Sequence, residues 1–320
     1  MIKFFDPGKA YLKIKSEIDA AIERVLTNGD LILRKDVEEF EEKLADFVGT
    51  KYAVGLNSGT DALYLALKAM GVTGEEVAVP SHTFVATAQV VEQVGATPVL
   101  YDLGEQPQDT RVKMITHIAG ELSPITHGLV IEDACQALGA VKNPITDAQC
   151  WSFYPAKILG AYGDAGGLTT NSLSIYEYVR EARNHFKTDY SKWGINSRMD
   201  NLQAAILNVK FKYLPQVLER RKQIAEFYLV ELKGLPIKLP NNTQGRVWQD
   251  FIIGTERRDE LFDFLKVAGI ETMRNEYPFP IPKLPKSIGY EKATLRLPIN
   301  EVVEDGEIQY VCQKIKEFYV

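Results

Sequence analysis

Residues Glu76–Asp102, EVAVPSHTFVATAQVVEQVGATPVLYD, carry the pattern that decides the fold. EVAVP (Glu76–Pro80) and TPVLYD (Thr97–Asp102) are short uninterrupted apolar runs, as strands buried on both faces require. TFVATAQVVEQVGA between them reads as a helix. Strand, helix and strand in that order imply a right-handed crossover and parallel pairing. Two further runs, VKMITHI (Val112–Ile118) and GLVIED (Gly128–Asp133), extend the sheet. Upstream, KDVEEFEEKLADFVG sets Val37, Phe40, Leu44, Phe47 and Val48 at helical spacing and stops at Gly49. NSGTDALYLALKAMG has a cap-like start, Leu63, Ala66, Leu67 and Met70 on one face, and Gly71 as its stop. The expectation is an α/β fold: a mainly parallel, mixed sheet flanked by helices.

One link does not fit the alternation. Only ELSPITH separates VKMITHIAG from GLVIED, too little for a full crossover helix. Either the helical layer is trimmed there or the strand boundaries lie elsewhere. From Asn201 to Lys233 a long helical stretch, with a possible break at Pro215, leads away from the sheet. RVWQDFIIG (strand-like), RDELFDFLKVAG (helix), the loop YPFPIPKLPKS, TLRLPI (strand) and DGEIQYVCQKIKEFY (helix) follow as a small α+β unit. The expected division is 1–215 and 216–320, with the boundary inside 208–235.

Composition narrows the function classes. A net charge of −6 over 320 residues argues against nucleic acid or an anionic membrane as partner. No run approaches the ~20 apolar residues of a membrane helix, and MIKFFDPGKAYLKIK lacks a secretory apolar core. Cys135, Cys150 and Cys312 form no CxxC pattern, and an odd count suits a reducing compartment. His82, His117, His127 and His185 have no metal-ligand spacing. A soluble cytoplasmic protein without a metal is expected.

In open α/β sheets ligands sit beyond the carboxyl ends of the strands. Three features fall there. NSGTDAL (Asn57–Leu63) opens a helix with Gly59 and Thr60 placed to offer N–H groups and a hydroxyl to an anion; taken alone, it is more often an ordinary cap. In IEDACQALGA, Asp133 ends a buried run, where a carboxylate needs a cationic or N–H partner. Gln136 reaches the same side if the chain turns into a helix; a lone strand-end acid is as often a structural cap. In WSFYPAKILGAYGDAGG, Lys157 is the only charged residue between Asp147 and Asp164. Apolar surroundings penalise an ammonium, and a neutral amine attacks a carbonyl to give a Schiff base; alone, such a lysine more often lies on the surface. A phosphate cradle, a carboxylate for a pyridinium N–H and a Schiff-base lysine are together what pyridoxal 5′-phosphate (PLP) asks of a protein.

The segments EEFEEKLADFVGTKYAVGLNSGTDAL, VPSHTFVATAQVVEQVGATPV, VIEDACQALGA, SFYPAKILGAYGDAGG and GINSRMDNLQAAIL resemble, in order, the DegT–DnrJ family of PLP-dependent nucleotide-sugar aminotransferases. The resemblance implies a fold-type I PLP transferase. It implies that Lys157 carries the cofactor and moves the proton, that Asp133 pairs the pyridine nitrogen, and that Gln136 bonds the ring 3-oxygen. Gly59, Thr60 and Ser152 would hold the phosphate and Phe84 would stack on the ring. Asn196 would reach the cofactor phosphate of a neighbouring subunit and Arg198 would grip a substrate carboxylate, which makes the protein a homodimer with shared sites. Without the resemblance, both are ordinary polar residues at a helix entry. Glutamate, leaving as 2-oxoglutarate, and a nucleotide-linked keto sugar are the implied substrates. Family dehydratases carry histidine at the lysine position, so Lys157 points to transamination. GINSRMDNLQAAIL and LILRKDVEEFE look most like enzymes of 3-oxo sugars. A 4-oxo sugar, an amino-cyclitol ketone, or a non-catalytic regulatory role are the alternatives. The chain departs from the family in the shortened segment between YDLG and CWSFYP, in THIAG for VHLYG, and at Cys135, Ile158 and Phe186.

Overall fold

The computed structural model describes residues 1–125 and 127–320. Seven strands form the main sheet: β1 (Tyr52–Leu56), β2 (Glu76–Pro80), β3 (Thr97–Tyr101), β4 (Val112–Thr116), β5 (Leu129–Asp133), β6 (Ala148–Ser152) and β7 (Gly166–Thr170). Their order is β1-β7-β6-β5-β4-β2-β3. Among the described residues β7 is the only one that runs against its neighbours; every other pairing in the sheet is parallel. The sheet is mixed and mainly parallel, as expected.

One face is apolar and covered by the helices Gly59–Met70, Val85–Gln93 and Leu173–Ala182. Leu56, Val77, Val79, Val112, Met114, Ile131 and Leu168 point into that core. Local chemistry sets the ends of the first of these helices. Ser58 accepts the Asp61 N–H at 3.0 Å, and Gly71 closes it with φ 65°. The other face packs against the helices Lys35–Val48 and Asn201–Phe211, through Phe40, Leu44, Trp151, Phe153 and Leu207.

The short link proves to be a trimmed layer. β4 reaches β5 through one 3-10 turn, Ile118–Gly120, and no helix joins β3 to β4 among the described residues. Two consequences follow. β3 is a half-exposed edge rather than a strand buried on both faces. Where helices are missing, the alternate residues of the inner strands are polar and satisfy one another. His117 Nε2 lies 2.7 Å from Glu132 Oε2, and Thr146 donates to Glu132. Gln149 donates to Thr146 (2.7 Å) and accepts from Thr169 (3.0 Å), which accepts from Trp151 Nε1 (2.9 Å). A buried polar network is tolerable when its members are paired.

The remaining strands, β8 (Phe251–Gly254), β9 (Met273–Arg274) and β10 (Thr294–Leu297), form an antiparallel sheet in the order β8-β10-β9. The helices Leu214–Glu231, Arg258–Val267 and Asp305–Tyr319 close its core around Tyr228, Phe251, Leu265, Leu295 and Ile315. The helical stretch after Asn201 breaks at residues 212–213, and Pro215 sits in the first turn of the second helix, where its missing N–H costs nothing. Ile2 pairs with Ile270, so the start of the chain lies on this unit. Part of the expected proline-rich loop is helical: Pro285–Ala293 begins inside it.

Candidate active site

Sheet register assembles the site. Leu56 and Ser152 both face Gly166 across the strands, and Asp133 faces Cys150. The carboxyl ends of β1, β5 and β6 therefore meet. The helix after β1 starts there, and among the described residues the N–H groups of Gly59 and Thr60 have no acceptor. Gly59 is wedged in: a Cβ on it would stand 2.7 Å from Cys135 Sγ and 3.1 Å from Ser152 Cβ. Gly166 is held as closely, for a Cβ there would strike the Ser58 carbonyl carbon and lie 2.5 Å from Gly59 N. Two glycines thus let the helix N-terminus sit directly on the strand ends.

Asp133 is 5% exposed. Its Oδ2 accepts the Thr87 hydroxyl at 2.7 Å and its Oδ1 the Cys135 N–H at 3.2 Å. Among the described residues no cation pairs with it. A buried carboxylate held by neutral donors alone is costly and still has lone pairs to offer. Burial, and then the charge of Asp133, push the Cys135 thiol well above its ordinary range, while the nearby Lys157 charge acts the other way. Cys135 is thus a neutral thiol between the cradle, the acid and the lysine.

Lys157 lies half-buried in the tight loop after β6, not enclosed as its apolar neighbours in sequence imply. Among the described residues its ammonium has no hydrogen-bond or ion-pair partner, while its N–H donates to the Tyr154 carbonyl at 2.8 Å. Gln249 clamps the two peptides that flank it. Its Oε1 accepts the Ile158 N–H at 3.0 Å and its Nε2 donates to the Ala156 carbonyl at 3.0 Å.

The other expected residues surround this centre. Ser152 Oγ accepts the Tyr154 N–H at 3.3 Å. Phe84 caps the helix Val85–Gln93 and leaves 53% of its surface open, its ring edge-on to Tyr277 at 6.4 Å. After Asp133 the chain makes a tight turn, not the helix that would have carried Gln136 beside the acid. Gln136 instead accepts the Ala119 N–H at 2.6 Å and donates to the Tyr277 hydroxyl at 3.3 Å. Asn196 is exposed, and Arg198 donates to Asn184 at 3.1 Å while its buried Nε has no partner. Between them Ser197 donates to Asp61 (2.6 Å) and accepts the Asn57 N–H (3.2 Å), which ties this loop to the cradle helix. Just before it, Trp193 is 97% exposed. Sequence reasoning did not find Thr87, Ser197, Gln249 or Tyr277. Each acts through a bond to a residue distant along the chain.

A cleft of about 1210 Å³ opens at the ends of β2, β3 and β4; none of the expected site residues lines it, and it borders them through Ala119, whose N–H bonds Gln136. Ile118, Ala119, Glu121, Arg246 and Tyr290 line part of it. Arg246 bonds Glu121 at 2.8 Å, and burial lowers its guanidinium from the ordinary arginine value.

A family model for DegT/DnrJ/EryC1/StrS aminotransferases matches residues 12–118 and 121–316. The chain belongs to this aminotransferase family. The break in the match falls on the 3-10 turn that replaces a crossover helix. Among its relatives is dTDP-3-amino-3,4,6-trideoxy-alpha-D-glucose transaminase of Streptomyces venezuelae, 35% identical, with 99% of this chain and 96% of the relative covered. That alignment spans 365 positions against the 320 residues of this chain, so the relative carries segments that this aminotransferase lacks. UDP-2-acetamido-2-deoxy-3-oxo-D-glucuronate aminotransferase of Pseudomonas aeruginosa is 33% identical over 98% of this chain and 99% of its own. The crystal structure of S. venezuelae DesV in complex with a ketimine intermediate superposes with a TM-score of 0.92, at 34% identity, covering 99% and 98% of the two chains. The fold is thus that of a fold-type I PLP-dependent transferase.

Proposed function

We propose that this aminotransferase moves an amino group from glutamate to a nucleotide-linked keto sugar whose ketone stands at carbon 3. The observation that carries the proposal is one juxtaposition: among the described residues the Lys157 ammonium has no partner, the buried Asp133 has no cation, and the Gly59 and Thr60 N–H groups have no acceptor. PLP, the cofactor, supplies when bound an electron sink for negative charge at the amino-bearing carbon. Lys157 would hold it covalently, and its amine would serve as the proton carrier at the amino-bearing carbon. Asp133 would pair the ring nitrogen. Gly59 and Thr60, with Ser152, would bind the phosphate at the helix N-terminus, Phe84 would offer its open ring face, and Gln136, whose amide already donates to Tyr277, would give its second N–H to the ring 3-oxygen.

Arg198, whose Nε is unfilled, suits the planar carboxylate of glutamate. Asn196 is exposed on a loop fixed to the cradle helix by Ser197, and we assign it to the cofactor phosphate of a second copy in a homodimer. We divide the chain into a cofactor-carrying unit, 1–215, and a small unit, 216–320. The division falls at the start of the helix Leu214–Glu231, whose Ile224, Ala225 and Tyr228 belong to the core of the small sheet. We assign the enzyme to the cytoplasm; no described helix is long and apolar enough to cross a membrane. The carbon-3 position is supported by the relatives, whose names specify 3-amino and 3-oxo sugars.

Turnover with glutamate is to be measured on 3-oxo and 4-oxo nucleotide sugars and on an amino-cyclitol ketone. Turnover confined to the 3-oxo substrates is expected, and turnover confined to either of the others overturns the assignment. The absorbance band of bound PLP is expected in the wild type and absent in Lys157→Ala. A wild-type protein that takes up no PLP refutes the whole reading.

A further inference from the structure

Behind Asp133 runs a buried line of hydroxyls that no step of the reaction uses. Thr116 Oγ1 lies 3.0 Å from Thr83 Oγ1, Thr83 Oγ1 lies 2.8 Å from Thr87 Oγ1, and Thr87 donates to Asp133 Oδ2 at 2.7 Å. Thr83 and Thr87 are wholly buried and Thr116 nearly so. The three come from two elements: Thr83 and Thr87 flank the start of the helix Val85–Gln93, and Thr116 ends β4.

We infer that Thr87, backed by Thr83 and Thr116, is a positioning residue that orients Asp133 and keeps the proton shared with the cofactor ring on the ring nitrogen. The inference rests on Asp133 as the partner of that nitrogen.

Proton counting fixes the direction of the line. A hydroxyl has one proton to give, and an ionised carboxylate only accepts. Thr87 gives its proton to Asp133, so it accepts from Thr83. Thr83 has then spent its proton and accepts from Thr116. All three dipoles point at the carboxylate, and each bond polarises the next in a site from which water is excluded. Hydrogen bonds to the charged form of an acid favour that form. Among the described residues no cation pairs with Asp133, and this line and the Cys135 N–H are the donors that meet its carboxylate. An anionic Asp133 leaves the shared proton on nitrogen, where it serves the electron sink. Thr87 also fixes where the carboxylate points, because its own N–H is tied to the Phe84 carbonyl at 3.1 Å. The segment that presents the Phe84 ring is therefore the one that sets the acid.

The test uses the full-length protein loaded with PLP labelled with ¹⁵N in the ring. Thr87→Val keeps shape and removes the donor. It is expected to weaken PLP binding to the apo protein about ten- to hundredfold, as for a lost bond to a charged group. The ring-nitrogen resonance should move toward the unprotonated position. Thr87→Ser should restore both readouts to within about threefold of wild type, and Thr116→Val, at the far end, should shift both less and in the same direction. In an Asp133→Asn background Thr87→Val should add nothing, because its route is gone. An unchanged resonance with affinity within about twofold of wild type overturns the inference, as does a full Thr87→Val effect that persists without Asp133. If Thr87→Val does not fold, Thr116→Val decides by the same two readouts. Failure of wild type to load PLP would instead overturn the proposed function, so the two failures are distinct.

Discussion

Replacing Gln249 by methionine tests whether the clamp on the lysine loop positions Lys157 or merely fastens the two units. The side chain keeps its length and loses both bonds. Ile158 is buried, so its N–H is left without a partner, at a cost of about 1–3 kcal/mol. Ala156 is half-buried and its carbonyl can turn to water, so its lost bond costs about 0.5–1.5 kcal/mol. Together the change should lower unfolding stability by roughly 1.5–4.5 kcal/mol in urea titrations of the apo protein. The consequence for chemistry is separate. A peptide freed on each side of Lys157 lets the amine wander, and a displacement on the order of 1 Å costs up to about 10²-fold in rate. Stopped-flow mixing of apo protein with PLP, followed by the rise of the bound-cofactor band, reads that term directly. A tenfold or greater slowing is expected, with the Km for glutamate little changed because Gln249 bonds the lysine loop and not Arg198. The reasoning is refuted if stability falls as stated while the loading rate stays at the wild-type value. It fails equally if stability falls by less than about 0.5 kcal/mol, for the two bonds would then carry nothing.

Gly166→Ala drives a methyl group into the Ser58 backbone, which cannot rotate aside, so β7 and the cradle helix must separate. We expect a loss of about 1–3 kcal/mol in stability and a larger proportional loss in phosphate affinity, read by isothermal titration of the apo protein with inorganic phosphate and with PLP; unchanged phosphate affinity would count against Gly59 and Thr60 as its ligands. Stability should also fall on the acid side. Burial lowers His82 below its ordinary value of 6.5 against the opposing bond from Glu291, so the folded state keeps the imidazole neutral. As pH falls through 6.5 the unfolded chain binds a proton that the folded chain refuses, and stability drops until the folded value is reached. Glu291, lowered from 4.5 by His82 and Lys283 although burial opposes them, adds a second loss at lower pH. Urea midpoints at pH 7.5, 6.5 and 5.5 should decline in that order and flatten in His82→Asn; a flat wild-type profile refutes the assignment.

The elements legible in the sequence are those whose signal is local. Glu76–Pro80, Val112–Thr116 and Asp305–Tyr319 appear where their apolar runs or helical spacing place them, because each buries its own side chains. The illegible ones depend on partners. β6 and β7 carry Gln149, Thr169 and two glycines, and their polar residues are buried only because neighbouring strands complete the bonds. Helix Pro285–Ala293 begins inside an apparent loop, and its first N–H groups are capped by Asp102, 184 and 185 residues away. RVWQDFIIG reads as one strand, yet β8 begins only at Phe251, and Gln249 leaves the sheet line to reach Ala156 and Ile158. The same division holds in the site. Lys157, Asp133 and the Gly59–Thr60 turn stand out by residue type and place, whereas Thr87 reaches its carboxylate across 46 residues by one hydroxyl among many threonines.

The trimmed layer explains how a shortened chain can keep this site. Asp133 points to the face covered by the helix Val85–Gln93, toward Thr87, while its sequence neighbour Glu132 points to the other face, toward His117 and Thr146. Alternation along a strand separates the two by a single residue. Deleting a crossover helix from one face therefore removes no bond from Asp133, from the Ser58 cap or from the Lys157 clamp, all of which lie on β1, β5 and β6 or on the link to the small sheet. What the deletion does expose is the end of β4, where Ala119 holds Gln136 and borders the cleft. That altered border reaches Asp133 through Thr116 in the hydroxyl line and through the His117 N–H, which donates to the Asp133 carbonyl at 3.1 Å. Changes in length on the β3–β4 side thus bear on the cleft and, through Ala119, on Gln136, while the Ser58 cap and the Lys157 clamp lie toward the β1–β6 side of the sheet.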